Sequence, residues 1–253
     1  MNTQTLEKMK QMKFYGMYHA FKTALETDKL DGYTIDEFVG FLVDHEHDDR
    51  HNRRINRLVT NAKFRYKANL EDLSYHESRH LDKNRIMRLA SCEFIKTSEN
   101  LIITGSTGVG KSFLASALGH HACSQGYRVV YFNAAKLFAK LKIAKADGSY
   151  IKEMAKIERQ DVLLLDDFCL QPMDRQARHI LLDLVEDRHG KSSMIITSQY
   201  PTDTWHELIG DNTVADAILD RIVHTAQRIS LQGESMRRRS TKTTPENQMQ
   251  IIN

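Results

Sequence analysis

Apolar residues recur at every third or fourth position through much of the first 75 residues. The residues with this spacing are Leu6, Met9, Met12, Met17, Phe21 and Leu25. Such spacing predicts amphipathic helices. Thr34 and Glu37 then have the spacing of a capping box for a helix through about residue 42, and another helix is predicted over residues 44–62. Residues 1–75 are therefore predicted to form a small all-helical domain, followed by a linker helix within 76–100.

From residue 101 the pattern changes, because short apolar runs now alternate with helical patterns. The predicted strands cover residues 101–104, 128–132, 162–167, 194–199 and 227–231. This alternation is typical of an α/β fold in which helices cover both faces of a parallel sheet. Residues 101–239 are predicted to form this domain, and the polar stretch 240–253 is predicted to be a disordered tail.

The composition is that of a globular protein in water. Apolar residues make up 41% of the 253 positions, charged residues 27%, and the net charge is +3. The three scattered cysteines favour a reducing compartment, and Lys8, Lys10 and Lys13 interrupt any secretory signal. We therefore expect a cytoplasmic protein with no membrane partner. With so small a net charge, any contact to nucleic acid must depend on a local cluster.

One glycine-rich turn lies between the first strand and the following helix. Gly105, Gly110, Lys111 and Ser112 match the P-loop pattern G-x-x-x-x-G-K-[ST] in the context that the motif requires. Lys111 is expected to reach the β- and γ-phosphates, and the Ser112 hydroxyl to coordinate Mg²⁺. The alternative is a turn that binds nothing. The residues predicted to bind the nucleotide are Gly105, Ser106, Thr107, Gly108, Val109, Gly110, Lys111, Ser112 and Phe113.

Two carboxylates follow the third apolar run, about 50 residues after the P-loop. Asp166 and Asp167 are placed as in a Walker B strand, whose carboxyl end faces the ligand crevice of a parallel sheet. Asp166 is predicted to hold Mg²⁺ together with Ser112, and Asp167 to orient or deprotonate the attacking water. The alternative is a buried strand that ends in a solvated turn.

Two further polar features belong to the same pattern. Ser198 and Gln199 end the fourth strand, where they are predicted to contact the γ-phosphate and the water unless they form an ordinary turn. Arg221 lies in an otherwise apolar helix. It is either an arginine finger for a neighbouring subunit's nucleotide or a local partner of Asp216 or Asp220.

A cluster of positive charge lies in the helical N-terminal region. Four arginines at i, i+3, i+4 and i+7 share one helical face, and three more cations follow with aromatic residues between them. This pattern predicts contacts to a nucleic-acid backbone. The alternative is a solvated face that nearby acidic residues partly neutralise. The predicted DNA-binding residues are Arg50, Arg53, Arg54, Arg57, Lys63, Arg65 and Lys67.

Taken together, these motifs resemble the AAA+ ATPases, in the branch that holds the helicase loader DnaC and the insertion-sequence helper IstB. The likeness to IstB is the finer one and covers about residues 5–240. The segments that carry it are Phe38-Val39-Gly40-Phe41-Leu42, Glu46, Arg50, Arg53-Arg54, Asn61-Ala62-Lys63-Phe64, Ala217-Ile218-Leu219-Asp220-Arg221-Ile222 and Gly233-Glu234-Ser235-Met236-Arg237.

The resemblance implies an ATP-dependent transposition helper that uses ATP and Mg²⁺. Such a protein would form a homo-oligomer, a ring or a helix, on double-stranded DNA and would recruit or stimulate a transposase. The resemblance also implies that Gln199 or Ser198 is sensor one, that Arg221 is the arginine finger and that Arg237 is sensor two. Too little chain follows residue 231 for a full helical lid around Arg237.

One departure from the family pattern changes the expected activity. Asp167 stands where the family usually has glutamate, so hydrolysis is expected to be slow and ATP binding to be the main signal. Two other classes of protein stay open. One is a helicase loader of the DnaC type, and the other is a P-loop kinase of a small molecule, for which the sequence offers no obvious acceptor-substrate lid.

Overall fold

The computed structural model describes residues 2–27, 32–75 and 81–236. The chain divides into two compact units, Met1–Leu58 and Val59–Asn253, which we call the N-terminal unit and the sheet unit. Arg237 and the predicted tail at 240–253 lie outside the described residues. Within the described part of the chain, no helix is long and apolar enough to cross a membrane.

The N-terminal unit is helical, as its apolar spacing predicts. Its helices are α1 (Asn2–Gln11), α2 (Tyr15–Glu26) and α3 (Ile35–Ala62), of which α3 ends in the sheet unit. The predicted capping box is confirmed, because Glu37 N donates to Thr34 Oγ1 and Thr34 N donates to Glu37 Oε2. The two helices predicted over 35–62 are one continuous helix, since no proline interrupts the segment and Gly40 is accommodated within it.

A buried glutamate joins α2 to α3. Glu46 is only 6% exposed, and its Oε2 accepts hydrogen bonds from Gly16 N at 2.8 Å and from Met17 N at 3.2 Å. Burial raises the pKa of Glu46, but the bonds from Arg50, Met17 and Gly16 outweigh burial and leave that pKa below its ordinary value. Glu46 therefore satisfies the first N–H groups of α2, which have no side-chain cap of their own.

The sheet unit contains a five-stranded, fully parallel sheet in the order β2-β3-β4-β1-β5. The predicted α/β class and all five predicted strands are confirmed. The strands are β1 (Leu101–Gly105), β2 (Val129–Asn133), β3 (Val162–Phe168), β4 (Ser193–Ser198) and β5 (Gln227–Leu231). The helices are α4 (Lys83–Ala90), α5 (Glu93–Lys96), α6 (Lys111–Ser124), α7 (Ala134–Asp147), α8 (Tyr150–Glu158), α9 (Arg175–Arg188), α10 (Trp205–Ile209) and α11 (Asn212–Val223).

Apolar strands at the centre of the sheet fix the position of the P-loop. Val162 to Leu165 of β3 are completely buried, and one core cluster joins the strands β1, β3 and β4 to α7, α9 and α11. Burial on both faces is what parallel strands require. β1 lies between β4 and β5. Because the P-loop follows the end of this parallel strand, it lies at the carboxyl edge of the sheet, where such folds bind ligands.

The division between the units differs from the predicted one at residue 75. Residues 59–75 belong to the sheet unit, because Phe64 packs on α6. A Cβ added to Gly119 would lie 2.6 Å from Phe64 Cε1, so this glycine makes room for the ring. The prediction assigned these residues by their charge and helical spacing, neither of which reveals packing on a distant helix.

Candidate nucleotide and metal site

The P-loop packs against residues 231–236, the last residues that the structure describes. Gly105 has φ +146°, and an added Cβ there would lie 2.3 Å from the carbonyl oxygen of Leu231. An added Cβ at Gly108 would lie 2.1 Å from Ser235 Oγ, and Met236 N donates to Gly108 O at 3.0 Å. Both glycines are therefore needed for a close approach of the backbone, and residues 235–236 lie against the loop.

The lysine and the serine of the motif lie at the start of α6. Lys111 is 6% exposed, and its Nζ donates to Ser106 O at 2.9 Å within the loop. Ser112 Oγ donates to Asp166 Oδ1 at 2.7 Å. The first N–H groups of a helix and its dipole favour an anion at this position. A phosphate chain bound here would meet both the ammonium group and the helix N-terminus.

A cavity of about 420 Å³ opens at the loop. The predicted P-loop residues that line it are Thr107, Gly108, Gly110, Lys111, Ser112 and Phe113. Tyr66 and Phe113 also line it, with ring centroids 6.3 Å apart. Phosphate-binding groups and aromatic surfaces in one cavity suit a nucleotide, since a base stacks on aromatic rings. The remaining predicted loop residues (Gly105, Ser106 and Val109) shape the turn.

Asp166 is the centre of a buried hydrogen-bond network. Its side chain is completely buried, and Oδ1 accepts hydrogen bonds from both Ser112 Oγ and Thr197 Oγ1. Oδ2 accepts from Tyr131 OH at 2.7 Å and lies 3.6 Å from Arg65 Nη1. Buried carboxylates are tolerated only when they are paired and hydrogen-bonded in this way.

Asp167 leaves the regular strand and turns toward the cavity. It has φ +57°, and the pairing of β3 with β4 shifts register between Leu165 and Phe168. Its N–H donates to Thr197 Oγ1 at 3.1 Å. Its Oδ2 accepts from Asn133 Nδ2 at 3.1 Å and lies 3.5 Å from Arg65 Nη1. Bulges of this kind re-aim a side chain beside a functional site, and here the carboxylate lines the cavity.

The two polar residues at the end of β4 have different roles. Thr107 Oγ1 donates to Gln199 Oε1 at 2.7 Å, and Gln199 lines the cavity. Ser198 is completely buried, and its hydroxyl donates to Phe168 O and accepts from Tyr200 N. The predicted phosphate contact of Ser198 is therefore corrected, because its hydroxyl already holds the strand end. Gln199 lines the cavity, and its contact to the γ-phosphate stays a prediction.

Four residues that hydrogen-bond to the two Walker B aspartates or lie close to them were not predicted as part of the site. They are Arg65, Tyr131, Asn133 and Thr197. Tyr131 and Asn133 lie on β2, the neighbour of β3, and Thr197 comes just before the polar pair at the end of β4. Strand adjacency could have suggested these three. The pKa of Tyr131 is raised by burial and by its bond to Asp166, so the phenol remains a hydrogen-bond donor at neutral pH.

Arg65 is the clearest correction to the predicted residues. It was predicted as a DNA contact, but its guanidinium lies at both Walker B carboxylates and lines the cavity. Lys63 and Lys67 flank it in the sequence and have no ion pair among those found in the described residues. Sequence spacing could not separate Arg65 from these lysines, because residues 63–69 do not continue α3.

The oxygen atoms near the P-loop fit a magnesium ion. Mg²⁺ is typically held by one or two carboxylates together with phosphate oxygens and water. Ser112 Oγ and Asp166 Oδ1 lie 2.7 Å apart beside the loop. In the described residues, no group of three or more His, Cys, Asp and Glu is placed to hold a metal. Phosphate oxygens and water would therefore have to complete the coordination shell.

Arg221 lies at the opposite end of β1 from the P-loop. Its carbonyl oxygen accepts from Asn100 Nδ2 at 3.3 Å, just before β1 begins, whereas the P-loop follows the end of that strand. Five residues of strand span about 16 Å. The guanidinium donates to Ala217 O at 2.7 Å, lies 3.3 Å from Glu186 and is 30% exposed. Arg221 is thus paired with Glu186 instead of the predicted Asp216 or Asp220.

The arginine face of α3 is half neutralised. Arg50 Nε lies 2.6 Å from Glu46 Oε1, and Arg53 Nε lies 2.7 Å from Asp49 Oδ2. Arg54 and Arg57 form no ion pair with any described residue. Together with Lys13, the four arginines line a surface cavity of about 270 Å³. We call this feature the arginine groove; Lys13 was not predicted, since it lies after α1 in the sequence.

A Walker A loop, a Walker B carboxylate pair and a parallel sheet of this strand order define a P-loop ATPase of the AAA+ type. Residues 7–244 match the family described as "IstB-like ATP binding protein". The chain belongs to this family.

Curated relatives extend along most of the chain. A putative insertion sequence ATP-binding protein, y4pL of Sinorhizobium fredii, is 43% identical over 92% of this chain and 96% of its own length. The insertion sequence IS21 putative ATP-binding protein of Pseudomonas aeruginosa is 32% identical over 79% of this chain and 76% of its own length.

Solved structures share the fold at lower identity. The DnaC helicase loader has a TM-score of 0.55 at 22% identity and is matched over 68% of this chain and 100% of its own. AMPPCP-bound DnaA from Aquifex aeolicus has a TM-score of 0.53 at 21% identity over 66% of this chain and 51% of its own. These likenesses establish the AAA+ fold.

Proposed function

We propose that this protein is an ATP-dependent transposition helper, in which ATP joins neighbouring copies and the assembly binds double-stranded DNA for a partner transposase. The observation that supports it best is the position of Arg221. An arginine at the opposite end of β1 from its own P-loop is placed to contact the nucleotide of an adjoining copy. Membership in the IstB-like family and relatives named for insertion sequences support the transposition role.

The chemistry at the pocket would be slow hydrolysis of ATP. Mg²⁺, when bound, neutralises charge that develops on the phosphates. Lys111 would hold the β- and γ-phosphates, and the hydroxyl of Ser112 with the carboxylate of Asp166 would hold the metal. Asp167, whose carboxylate accepts a hydrogen bond from Asn133, would orient the attacking water. Gln199 would lie at the γ-phosphate. Since Asp167 is one methylene shorter than glutamate, we expect hydrolysis to be slow.

The arginine of a neighbouring copy would complete this site. An arginine finger supplied in trans stabilises the charge of the transition state by factors of about 10³–10⁵. Arg221 is part-exposed and held by Glu186 on its own chain, and exchange of that partner for a phosphate is chemically reasonable. Nucleotide binding would in this way favour assembly.

Contacts to DNA would come from the arginine groove and would be mostly to phosphates. Arg54 and Arg57 carry charge that no described acidic residue neutralises, whereas Arg50 and Arg53 are already paired. Phosphate contacts carry no direct sequence information. We therefore expect binding that tolerates many sequences and weakens steeply with salt.

The test is the affinity for a short duplex over a range of salt concentrations, with and without a non-hydrolysable ATP analogue. We expect tighter binding with the analogue, and no such gain for Lys111→Ala, which removes the phosphate contact. Equal affinity of the wild-type protein in both conditions would contradict the proposed coupling.

The transposase partner requires a separate comparison. Pull-down of the wild-type protein, with the ATP analogue and duplex present, would be performed against an insertion-sequence transposase and against a replicative helicase. Retention of the transposase alone is expected. Retention of the helicase alone would instead favour a loader of the DnaC type.

A further inference from the structure

Arg65 occupies a position that the proposed chemistry does not explain. Its Nη1 lies 3.6 Å from Asp166 Oδ2 and 3.5 Å from Asp167 Oδ2, so one guanidinium bridges both Walker B carboxylates. The side chain is 43% exposed, and it lines the cavity of the P-loop. The arginine therefore reaches the carboxylates from the cavity side, which is the side from which a metal and a nucleotide would also arrive.

The positive charge of Arg65 disfavours binding of a second cation to the same two carboxylates. Mg²⁺ would coordinate Asp166 at about 2 Å, which leaves only a few ångströms between the metal and a guanidinium that lies 3.6 Å from the same carboxylate. Repulsion between a divalent and a monovalent cation at such a distance is strong in a partly buried site. Arg65 and Mg²⁺ thus cannot both hold the carboxylates at full strength.

The other partners of Asp166 keep the carboxylate in place when the arginine leaves. Ser112, Thr197 and Tyr131 all donate hydrogen bonds to it. Asp167 likewise keeps Asn133 as a donor. Arg65 can therefore move away without disrupting the site, and a metal ion can take its place at both carboxylates.

We propose that Arg65 is a positioning residue that competes with Mg²⁺ for the Walker B carboxylates and thereby sets the Mg²⁺ concentration at which nucleotide binds. The proposal rests on the Mg²⁺ site of the proposed function.

A different role for Arg65 makes the opposite prediction. If Arg65 were a ligand of the γ-phosphate, its removal would weaken binding of ATP and leave ADP unaffected. If Arg65 competes with the metal, its removal strengthens Mg²⁺-dependent binding of both nucleotides, because both use the same carboxylates. The two roles are therefore separated by the sign of the effect and by its dependence on the third phosphate.

The experiment measures binding of fluorescent ATP and fluorescent ADP at fixed nucleotide concentration while Mg²⁺ is varied. The proteins are the full-length wild type, Arg65→Ala and Arg65→Lys. For Arg65→Ala we expect the Mg²⁺ concentration at half-maximal binding to fall about tenfold with both nucleotides. Arg65→Lys keeps the charge and is expected to stay within about threefold of the wild type.

Arg128→Ala is the matched control. Arg128 is also a part-exposed arginine paired with a carboxylate, Asp161, but it does not line the cavity. We expect its Mg²⁺ midpoint to equal that of the wild type, and circular dichroism checks that every variant is folded.

Three results would overturn an element of this scheme. An unchanged midpoint in Arg65→Ala, or ATP binding weakened tenfold with ADP unaffected, contradicts the competition by Arg65. A wild-type protein whose nucleotide binding does not depend on Mg²⁺ contradicts the proposed metal site itself. The failure of the inference and the failure of the proposed function are thus distinguishable.

Discussion

The P-loop pocket and the arginine groove both gather charge for phosphates, but they are built in different ways. In the pocket, one completely buried carboxylate receives hydrogen bonds from residues on α6, β2 and β4. In the groove, four arginines extend from a single helix, and two of them are paired with acidic residues nearby on that helix. The pocket depends on tertiary structure, whereas the groove depends mainly on local spacing. Substitution of the buried carboxylate should therefore affect both folding and chemistry, whereas substitutions in the groove should affect only affinity.

The largest expected effect is that of Asp166→Ala. The change leaves the hydroxyl groups of Ser112, Thr197 and Tyr131 without their buried acceptor, so we expect the free energy of unfolding to fall by about 3 kcal/mol. ATP hydrolysis should also fall below detection. Denaturant unfolding and steady-state hydrolysis measure the two effects. A variant as stable as the wild type would show that this hydrogen-bond network does not stabilise the fold.

Asp167→Asn should separate chemistry from folding within the pocket. Asparagine tolerates the left-handed backbone at this position, so stability should change by less than about 0.5 kcal/mol. Loss of the carboxylate that orients the water should lower the hydrolysis rate about 100-fold. Nucleotide affinity should stay within about threefold. Single-turnover hydrolysis and fluorescent nucleotide binding test this, and unchanged hydrolysis would exclude Asp167 from the reaction.

Arg54→Ala combined with Arg57→Ala should affect DNA binding alone. Because each lost phosphate contact lowers the slope of log affinity against log salt by about 0.9, we expect the slope to fall by about two. The control removes two exposed cations that are paired elsewhere, Lys96→Ala with Lys156→Ala. This control has the same net charge and should keep the wild-type slope. Equal slopes for both double variants would exclude the groove from DNA binding.

Glu46→Gln should have the smallest effect, and that effect should depend on pH. The pKa of Glu46 is lowered in the folded protein, so its carboxylate stabilises the fold above the ordinary pKa of about 4.5, and this stability is lost as pH falls through the lowered value. We expect the variant to lose about 1 kcal/mol of protection at Gly16 and Met17 near pH 7. The difference should shrink in acid. Hydrogen exchange at these two amides measures it, and a difference that does not vary with pH would contradict this role.

The sequence allowed the P-loop and the strand ends to be predicted because their signals are local. Gly105 to Ser112 form a contiguous motif, and Asp166 follows an apolar run that can only be a buried strand. The continuous helix α3 was divided in two because a polar stretch in the middle of a long helix resembles a boundary. This error concerns where a helix begins and ends, and it leaves the predicted fold class unchanged.

The partners within the site were missed because they depend on which strands become neighbours, and the strand order was not predicted. Tyr131 and Asn133 contact the Walker B carboxylates because β2 pairs with β3. Arg65 has the same spacing pattern as the lysines beside it, yet it lies in the pocket. Ser198 has the sequence position of a phosphate contact, but its hydroxyl holds Phe168. A side chain's role here follows from packing, which no spacing rule contains.

The most direct test of the central claim is the particle mass of the full-length protein with a non-hydrolysable ATP analogue and a short duplex. We predict a multi-subunit particle on DNA for the wild type, and mainly smaller species for Arg221→Ala under the same conditions. A wild-type protein that stays monomeric with both ligands, or an Arg221→Ala variant that assembles equally well, would contradict the claim that nucleotide joins the copies.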